Sequence, residues 1–338
     1  MKLSVIIPVF NGAKTIESTV AGIPRPAFPY EILVVDDGST DGTREILSGL
    51  AKKDPCLRVI VQENAGPAAA RNRALGEAAG EYVTFCDADD AFLPGMPEAA
   101  VAEAEKRGAD LLLAGFLLTE PGKPGAPYTY RDLDARGISE HLGELYRANM
   151  LNQAWAKVFR RDLIRDLSFP DRKWGEDRLF LFSALARAKT PALWSQPVYE
   201  YRQQPGSLIS RFLSDKCEIC REVDDAFRAL AKELNAPACR EAADYMLVKS
   251  LWSAFTTLFS PSCPLSAGEK KDYVRAALAE ERGQERRFPA DCGRAFKILA
   301  KTLASGDPAA VCRTARLVAL ASRVMPSAAR RAKHAYNR

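Results

Sequence analysis

The chain begins with a regular alternation of short apolar runs and longer amphipathic stretches. The apolar runs predict strands at residues 3–9, 31–35, 58–61, 82–86 and 110–118. The amphipathic stretches between them predict helices at residues 15–22, 41–50, 67–79 and 97–106. Strands and helices that alternate in this way are typical of an α/β fold, in which a mostly parallel sheet carries helices on both faces.

This alternation does not continue through the rest of the chain. Residues 119–135 are rich in proline and glycine, and from Ile138 onward the pattern is mainly helical. An irregular stretch, Tyr199–Arg211, contains a Pro-Gly turn and precedes several amphipathic helical patterns. The sequence therefore predicts a region over residues 1–212, with halves 1–118 and 119–212, and a helical region over 213–338.

The charged residues are unevenly distributed along the chain, and the composition indicates where in the cell the protein is located. Residues 1–120 carry 11 Lys and Arg against 18 Asp and Glu, whereas residues 121–338 carry 37 against 25. No apolar stretch approaches the ~20 residues of a transmembrane helix, and the first ten residues lack the features of a signal peptide. The eight cysteines are scattered along the chain, which is typical of reduced thiols. We therefore expect a cytoplasmic protein that does not span a membrane.

The last thirty residues form a basic segment. Residues 309–338 contain seven Lys and Arg, no Asp or Glu, and interleaved apolar side chains. A basic amphipathic helix of this kind can lie on an anionic membrane surface, where each basic residue contributes roughly 1 kcal/mol. A solvated helix or a disordered tail is the alternative. Because no base-reading motif accompanies these charges, we expect no nucleic-acid partner.

Three acids follow the fourth predicted strand. Its apolar run ends directly at Asp87, Asp89 and Asp90. In an open α/β sheet, ligands bind outside the carboxyl ends of the strands, which is where these acids would lie. Asp87 and Asp89 point the same way in an extended chain, so both carboxylates could reach one divalent cation or one sugar nucleotide. A solvated strand end that caps the next helix is the alternative.

Two further residues belong to the same predicted edge. Asp37 follows the second strand, where its carboxylate could accept hydrogen bonds from a ribose or from uracil. Neither a G-x-G-x-x-G nor a P-loop motif follows the first strand, which argues against a dinucleotide-binding fold and a P-loop NTPase. Arg71 lies in the helix after the third strand, where it could meet a nucleotide or a phosphate, or else belong to a solvated helix face.

A second group of polar residues occurs in the later half. Glu176 and Asp177 open a predicted helix, where the helix dipole favours acids and explains one of the two. Farther on, Arg202 and Ser207 flank the Pro-Gly turn, a composition suited to gripping a diphosphate. A solvated loop explains the same residues equally well.

These motifs together resemble a known family. The ordered set SVIIPVFN, ILVVDDGSTDGT, NAGPAAARNRAL, GEYVTFCDADD and WGEDRLF is similar to the family 2 glycosyltransferases. Members of that family are inverting enzymes of the GT-A fold, a Rossmann-like α/β architecture, and are widespread in bacterial surface-polysaccharide synthesis. The resemblance covers about residues 1–212, so it implies a GT-A catalytic domain there. Its first half would bind the nucleotide-sugar and its second half would serve the acceptor and catalysis.

The resemblance implies a role for each candidate residue. Asp89 would bind Mn²⁺ or Mg²⁺, and Asp87 would hold the ribose or share the metal. Asp177 would act as the general base with Glu176 as its support, and Arg202 and Ser207 would close over the diphosphate. The nucleoside pocket would be lined by Pro8, Val9 and Asp37, with Asn64, Gly66 and Arg71 nearby. Some members place a histidine near the metal; here Gln203 and Gln204 occupy those positions.

The expected activity follows from these roles. A metal-assisted single displacement would move a sugar from a nucleotide-diphosphate donor, preferably a UDP-sugar, to a hydroxyl of a glycan or lipid-linked acceptor. The protein would work at the inner face of the cell membrane, as a cytoplasmic or peripheral enzyme. A sugar nucleotidyltransferase and an inactive nucleotide-sugar-binding scaffold are the alternatives. The sequence does not determine the oligomeric state.

Overall fold

The computed structural model describes residues 1–203, 211–281 and 283–324. The described residues form two compact units. The first unit contains residues 1–141 and 150–203, and the second contains 142–149 and 211–324. The predicted domain boundary at residue 212 stays a prediction. The assignment of residues 142–149 to the second unit is a feature that the sequence pattern did not indicate.

The first unit is built on one sheet. Its strands are β1 (Leu3–Val9), β2 (Tyr30–Asp36), β3 (Leu57–Val61), β4 (Tyr82–Phe85), β5 (Ala91–Phe92), β6 (Leu111–Thr119), β7 (Ala126–Tyr128), β8 (Lys157–Arg160) and β9 (Pro191–Arg202). Its helices are α1 (Ile16–Ala21), α2 (Thr43–Ala51), α3 (Pro67–Glu77), α4 (Glu98–Arg107), α5 (Ala135–Glu140), α7 (Arg161–Ile164) and α8 (Glu176–Arg187).

The second unit is helical in the described residues. Its helices are α6 (Leu142–Arg147), α9 (Lys216–Glu233), α10 (Arg240–Thr257), α11 (Ala267–Ala279), α12 (Arg294–Ala304) and α13 (Pro308–Val324). A short 3-10 turn at Pro237–Cys239 joins α9 to α10. The prediction of a helical region after residue 213 agrees with these elements.

One half of the sheet is parallel. Its strand order is β3, β2, β1 and β4, and β1 pairs through Val5 with Ile32 on one side and Thr84 on the other. Every residue of β1 is buried, which is why its sequence is a continuous apolar run rather than an alternating one. The predicted α/β fold is confirmed. Because these strands are parallel, the carboxyl ends of β1, β2 and β4 meet at one edge.

The other half of the sheet is mixed. β8 pairs antiparallel with both β4 and β6, β9 runs parallel to β6, and β5 and β7 pair antiparallel with β9 and β6. The predicted parallel pairing therefore holds for β3, β2, β1 and β4 and for the pair of β6 and β9, whereas the remaining pairs are antiparallel. The sequence pattern missed β5, β7, β8 and β9, because short apolar runs among helical patterns have no period that identifies a strand.

Buried ion pairs hold the second unit together. Asp244 accepts hydrogen bonds from Arg228 Nη2 at 2.6 Å and from the backbone amide of Arg287 at 2.8 Å. Arg228 Nε also donates to Asp224, at 2.8 Å. Removing one partner of a buried pair leaves an uncompensated charge, which is strongly destabilising. These charged side chains therefore have a structural explanation.

The basic segment begins as a packed helix rather than a free tail. Val311 and Ala315 of α13 are fully buried. The opposite face is open to solvent, with Leu317 67% and Leu320 44% exposed. Residues 325–338 lie outside the described part of the chain. No helix within the described ranges is both long and apolar enough to cross a bilayer. The eight cysteines are free thiols.

Candidate active site

Asp37 organises the loop that follows β3. The residue is only 2% exposed. Its Oδ1 accepts hydrogen bonds from Gln62 Nε2 at 2.7 Å and from the Ala65 amide at 2.9 Å, and its Oδ2 accepts one from the Gly66 amide at 2.8 Å. Asn64 Nδ2 donates to the backbone oxygen of Asp37 at 3.0 Å. A carboxylate has about four acceptor positions. Since Oδ2 accepts one hydrogen bond and Oδ1 accepts two, Oδ2 can accept a further hydrogen bond from the predicted nucleoside.

The end of β1 lies beside this loop. Pro8 and Val9 are buried, and the backbone oxygen of Val9 accepts a hydrogen bond from the Asp37 amide at 2.8 Å. Gly66 has a φ of 91° just before α3, a backbone conformation that favours glycine. Five residues predicted for the nucleoside pocket are thereby brought together: Pro8, Val9, Asp37, Asn64 and Gly66.

The turn after β4 carries the three acids. Asp90 is fully buried, and its Oδ2 accepts a hydrogen bond from the Tyr199 hydroxyl at 2.8 Å. Asp87 is partly buried, whereas Asp89 is exposed. Within the described part of the chain, no side chain donates a hydrogen bond to the Asp89 carboxylate. The Asp89 carboxylate is therefore open to solvent, and its role as a ligand stays a prediction.

Burial and the charge of Asp87 raise the pKa of the other two acids on this turn. Burial, followed by the negative charge of Asp87, raises the pKa of Asp90 to about 8. Partial loss of hydration and the same neighbour raise the pKa of Asp89. Both shifts have the same physical reason, since charged carboxylates that lose water and approach like charges favour the protonated form. A cation at this turn would relieve that repulsion.

Arg71 joins this turn to the beginning of α8. Its Nη2 lies 3.0 Å from Asp87 Oδ1, and its Nη1 lies 3.1 Å from Glu176 Oε1 and 3.0 Å from Asp177 Oδ1. The guanidinium is 5% exposed and stands over the ring of Phe169 at 5.4 Å. The helix face on which Arg71 lies is therefore buried. Arg71 brings Asp87 into one site with Glu176, which lies 105 positions from Arg71 along the chain, and with Asp177.

Asp177 is a buried carboxylate with unused acceptor capacity. Among the described residues none forms a hydrogen bond with its Oδ1, because Arg71 Nη1 approaches this oxygen outside hydrogen-bond geometry. Its Oδ2 accepts a long hydrogen bond from the Ala154 amide at 3.5 Å. Burial raises the pKa of Asp177 to about 7; Arg71 opposes the shift, and Glu176 adds to it. A carboxylate that titrates near neutral pH has the basicity suited to accepting a proton from a hydroxyl.

The residues predicted to grip a diphosphate are only partly described. Arg202 ends β9, and its Nε and Nη2 both donate to Glu200 Oε2, at 3.0 and 2.8 Å. Ser207 lies outside the described residues, as does Gln204. The backbone amide of Gln203 donates a hydrogen bond to the backbone oxygen of Thr119 at 2.9 Å. The diphosphate role of Arg202 and Ser207 stays a prediction.

Sequence reasoning missed three residues beside the acids. Tyr199 bonds to Asp90, and Asn72 fixes the Phe169 backbone through hydrogen bonds of 2.7 and 2.8 Å. Lys157 is buried, and its Nζ donates to the backbone oxygen of Trp155 at 3.2 Å. Burial lowers the pKa of Lys157 to about 7, against the attraction of Asp177. The sequence did contain a signal for Lys157, because a lysine inside an apolar run indicates a buried charged side chain.

The sequence of the first unit identifies its family. The profile described as Glycosyl transferase family 2 matches residues 4–168. That range contains Asp37, Arg71, Asp87 and Asp89, the residues at the ends of the parallel strands and on α3. The chain contains a family 2 glycosyltransferase domain. The resemblance inferred from the five motifs is confirmed.

Curated relatives of this glycosyltransferase domain come from bacteria. The uncharacterized glycosyltransferase EpsJ of Bacillus subtilis strain 168 is 30% identical over 214 residues, which are 61% of this chain and 62% of EpsJ. The poly(ribitol-phosphate) beta-N-acetylglucosaminyltransferase TarS of Staphylococcus aureus strain MW2 is 28% identical over 269 residues, which are 74% of this chain and 44% of TarS. The matched stretch thus spans less than two thirds of either relative.

Solved structures extend the likeness to the fold of nearly the whole chain. The complex of S. aureus TarS 1–349 with UDP-GlcNAc has a TM-score of 0.63 at 23% identity, covering 96% of this chain and 92% of that one. The mannosyltransferase PcManGT from Pyrobaculum calidifontis, in complex with GDP-Man and Mn²⁺, has a TM-score of 0.51 at 18% identity. It covers 94% of this chain and 87% of PcManGT. The GT-A fold predicted from the sequence is confirmed.

The acids of the glycosyltransferase domain have the donor chemistry of a divalent-cation site. Carboxylate oxygens are the ligands that Mn²⁺ and Mg²⁺ prefer. Asp89 has its carboxylate available, and Asp87 uses one oxygen toward Arg71. The described residues contain no group of three or more acids, histidines or cysteines that could hold a metal. Two carboxylates suit a cation that takes its remaining ligands from a bound diphosphate and from water.

Proposed function

We propose that the protein is an inverting, metal-dependent glycosyltransferase. It transfers a sugar from a nucleotide-diphosphate sugar, preferably a UDP-sugar, to a hydroxyl of a glycan or lipid-linked acceptor in the synthesis of a bacterial surface polysaccharide. The family 2 domain, the role of TarS, and the UDP-GlcNAc bound in the TarS structure support this proposal. The proposal rests mainly on the contacts of Arg71. Its guanidinium lies against Asp87, which follows β4, and against Asp177, a buried carboxylate with a raised pKa.

The donor would bind at the ends of β1, β2 and β4. Its nucleoside would lie against Pro8, Val9 and the loop that Asp37 organises, and Asp87 and Asp89 would face its diphosphate. The preference for UDP rests on the TarS complex, whereas PcManGT binds a GDP-sugar. Arg202 and Ser207 would add positive charge and a hydroxyl to the diphosphate.

The chemistry would be a single displacement. The acceptor hydroxyl oxygen forms a bond to the anomeric carbon while the bond from that carbon to the diphosphate oxygen breaks. The nucleoside diphosphate leaves with the electron pair, and the hydroxyl proton passes to Asp177. Arg71 balances the charge of this carboxylate, and Glu176 would support Asp177 by fixing the Arg71 guanidinium that both carboxylates contact. Attack from the face opposite the leaving group inverts the anomeric configuration.

A divalent cation held by Asp89 and Asp87 would supply Lewis-acid stabilisation of the charge on the departing diphosphate. Arg71 keeps the Asp87 carboxylate oriented from the protein side. Asp90, buried behind the turn, faces Tyr199 instead and is not assigned as a ligand.

Nucleotide binding tests the donor site directly. We expect one of UDP, GDP, dTDP and CDP, with UDP preferred, to bind in the presence of Mn²⁺ and to bind much more weakly with EDTA, measured by calorimetry. Hydrolysis of the corresponding nucleotide-sugars would then identify the donor. If no nucleotide binds under either condition, the proposal fails at its first step. Donor binding without hydrolysis or transfer would instead favour an inactive scaffold.

Asp89→Ala should abolish the metal-dependent part of this binding. The variant removes an exposed carboxylate to which no other described side chain donates a hydrogen bond, so its melting temperature should match that of the wild type. Glu63→Ala is a matched control, because it removes another exposed carboxylate from the loop beside Asp37. Nucleotide affinity that stays Mn²⁺-dependent in Asp89→Ala would contradict the metal assignment.

We also propose that the protein binds the inner membrane surface through its basic segment. Arg313, Arg316, Leu317 and Leu320 form one exposed stripe of α13, spaced at i, i+3, i+4 and i+7. Such a stripe combines apolar contact with attraction to anionic lipid. Because Val311 and Ala315 are buried, deleting residues 309–338 would damage the second unit and is not a clean test.

Charge reversal on the exposed stripe is the cleaner experiment. Arg313→Glu with Arg316→Glu should reduce sedimentation with phosphatidylserine vesicles at least about tenfold, given roughly 1 kcal/mol per basic residue. Lys271→Glu with Arg275→Glu, an exposed pair on α11, is the control. Equal sedimentation of both variants and the wild type would remove the membrane from the proposal.

A further inference from the structure

Asp90 is the one acid of the β4 turn that points away from solvent. Both of its carboxylate oxygens are used: Oδ2 accepts from the Tyr199 hydroxyl at 2.8 Å, and Oδ1 accepts from the Arg202 amide at 2.8 Å. Both donors belong to β9. The side chain of Asp90 therefore ties the turn to the end of β9.

The Tyr199 hydroxyl serves the turn a second time. It accepts a hydrogen bond from the Asp87 amide at 2.9 Å while it donates to Asp90. One hydroxyl thus fixes both ends of the turn. Its ring is held independently, since it stacks on Trp155 with centroids 4.7 Å apart and meets Phe92 edge-on at 5.6 Å. The hydroxyl position is therefore set by packing that does not involve the acids.

Thr19 holds the same turn from α1. Its Oγ1 lies 2.9 Å from the backbone oxygen of Ala88 and 3.1 Å from that of Asp90. The backbone before and after Asp89 is therefore anchored, while the Asp89 carboxylate faces solvent. An anchored backbone limits the positions that this carboxylate can take, so little ordering is required when a ligand binds.

We infer that Asp90 and Tyr199 are positioning residues, which hold the Asp87 and Asp89 carboxylates in their binding geometry and join that turn to the end of β9. The inference rests on the proposed function, because it assigns a purpose to the rigidity of the turn. Neither side chain touches the donor. Their effect passes through the backbone of Asp87 and the amide of Arg202.

The test is a pair of conservative variants. Tyr199→Phe removes one oxygen and keeps the ring contacts, and Asp90→Asn replaces one oxygen of the carboxyl group by an NH2 group, which cannot accept a hydrogen bond. We expect each to weaken Mn²⁺-dependent nucleotide binding about tenfold, the size of one or two lost hydrogen bonds. Nucleotide binding in EDTA should stay unchanged. Tyr201→Phe is the control, because its ring also stacks on Trp155 but bonds to neither acid.

Hydrogen exchange provides a readout that is independent of ligand and activity. The Asp87 amide loses its acceptor in Tyr199→Phe, so its exchange should accelerate, whereas Tyr201→Phe should leave it unchanged. Faster exchange together with weaker Mn²⁺-dependent binding supports the inference. Wild-type affinity in both variants would overturn it while leaving the proposed function intact. Absence of nucleotide binding in the wild type would instead overturn the proposed function.

Discussion

Asp177→Asn is expected to lose about 10²–10⁴-fold in turnover at saturating donor, the usual contribution of a general base. The asparagine keeps the shape of the side chain but cannot take up the proton of the attacking hydroxyl. Donor affinity should remain close to that of the wild type, because the Arg71 guanidinium stands between Asp177 and Asp87, the carboxylate that faces the donor. The measurement is transfer rate against donor concentration, with calorimetry of the nucleotide.

The variant should not lose activity by unfolding. The pKa of Asp177 is raised to about 7 in the folded protein, so its charged form destabilises the fold above that pH. A neutral amide removes this cost, although it also removes one partner of Arg71. Asp171→Asn, at an exposed position before α8, is the matched control. Near-normal turnover of Asp177→Asn would take Asp177 out of the mechanism.

The same pKa gives the wild-type enzyme a pH profile. A base must be deprotonated to act, so turnover should rise as the pH increases through about 7 and reach a plateau above it. Asp177→Asn should lack this limb and keep a low, flat rate. A wild-type rate that is flat between pH 5.5 and pH 8.5, on the order of one and a half units either side of that pKa, would contradict the assignment.

Arg71→Met is expected to cost about 3–5 kcal/mol in the free energy of unfolding, because it leaves Asp87, Glu176 and Asp177 without their shared cation. The acids would then favour protonation in the folded state. The deficit relative to the wild type should therefore grow as the pH rises from about 5.5 to 8. Denaturant unfolding at several pH values measures both effects.

A neighbouring arginine provides the control for this variant. Arg73 lies on the same helix, is exposed, and pairs only with Glu77 at i,i+4 within the described residues. Arg73→Met should change the free energy of unfolding by no more than about 0.5 kcal/mol, as for other surface pairs. If Arg71→Met has the same free energy of unfolding as Arg73→Met, the negative charges of the three acids are compensated by groups other than Arg71.

The strand ends were predictable from sequence because local patterns define them. The runs that became β1, β2 and β4 are buried on both faces, and each stops at polar residues. Parallel pairing then brings Asp37 and Asp89 to one edge. No such local rule covers Arg71, which the sequence suggested as a nucleotide contact. Its partners Glu176 and Asp177 lie more than a hundred positions away, in the half of the sheet where the strands were missed.

That half was missed for a physical reason. β8 begins with the buried Lys157 and continues with the buried Val158 and Phe159, so neither an alternating nor a helical period appears. β9 begins with one proline and contains another, and its register against β6 shifts around Gly115. Tyr199 therefore appeared to belong to a loop. Asp90 was recognised as an acid at the strand tip, but its partner could not be identified without β9.

The helix α6 limits how this protein can be recombined with its relatives. It is flanked on both sides by chain of the first unit, yet its Leu145 and Tyr146 are buried in the second, where Tyr146 stacks on Phe227 at 4.1 Å. A chimaera that exchanges everything after residue 212 would keep α6 but replace the α9 surface that covers it. An interchangeable cassette must therefore carry residues 142–149 as a second, discontinuous insert.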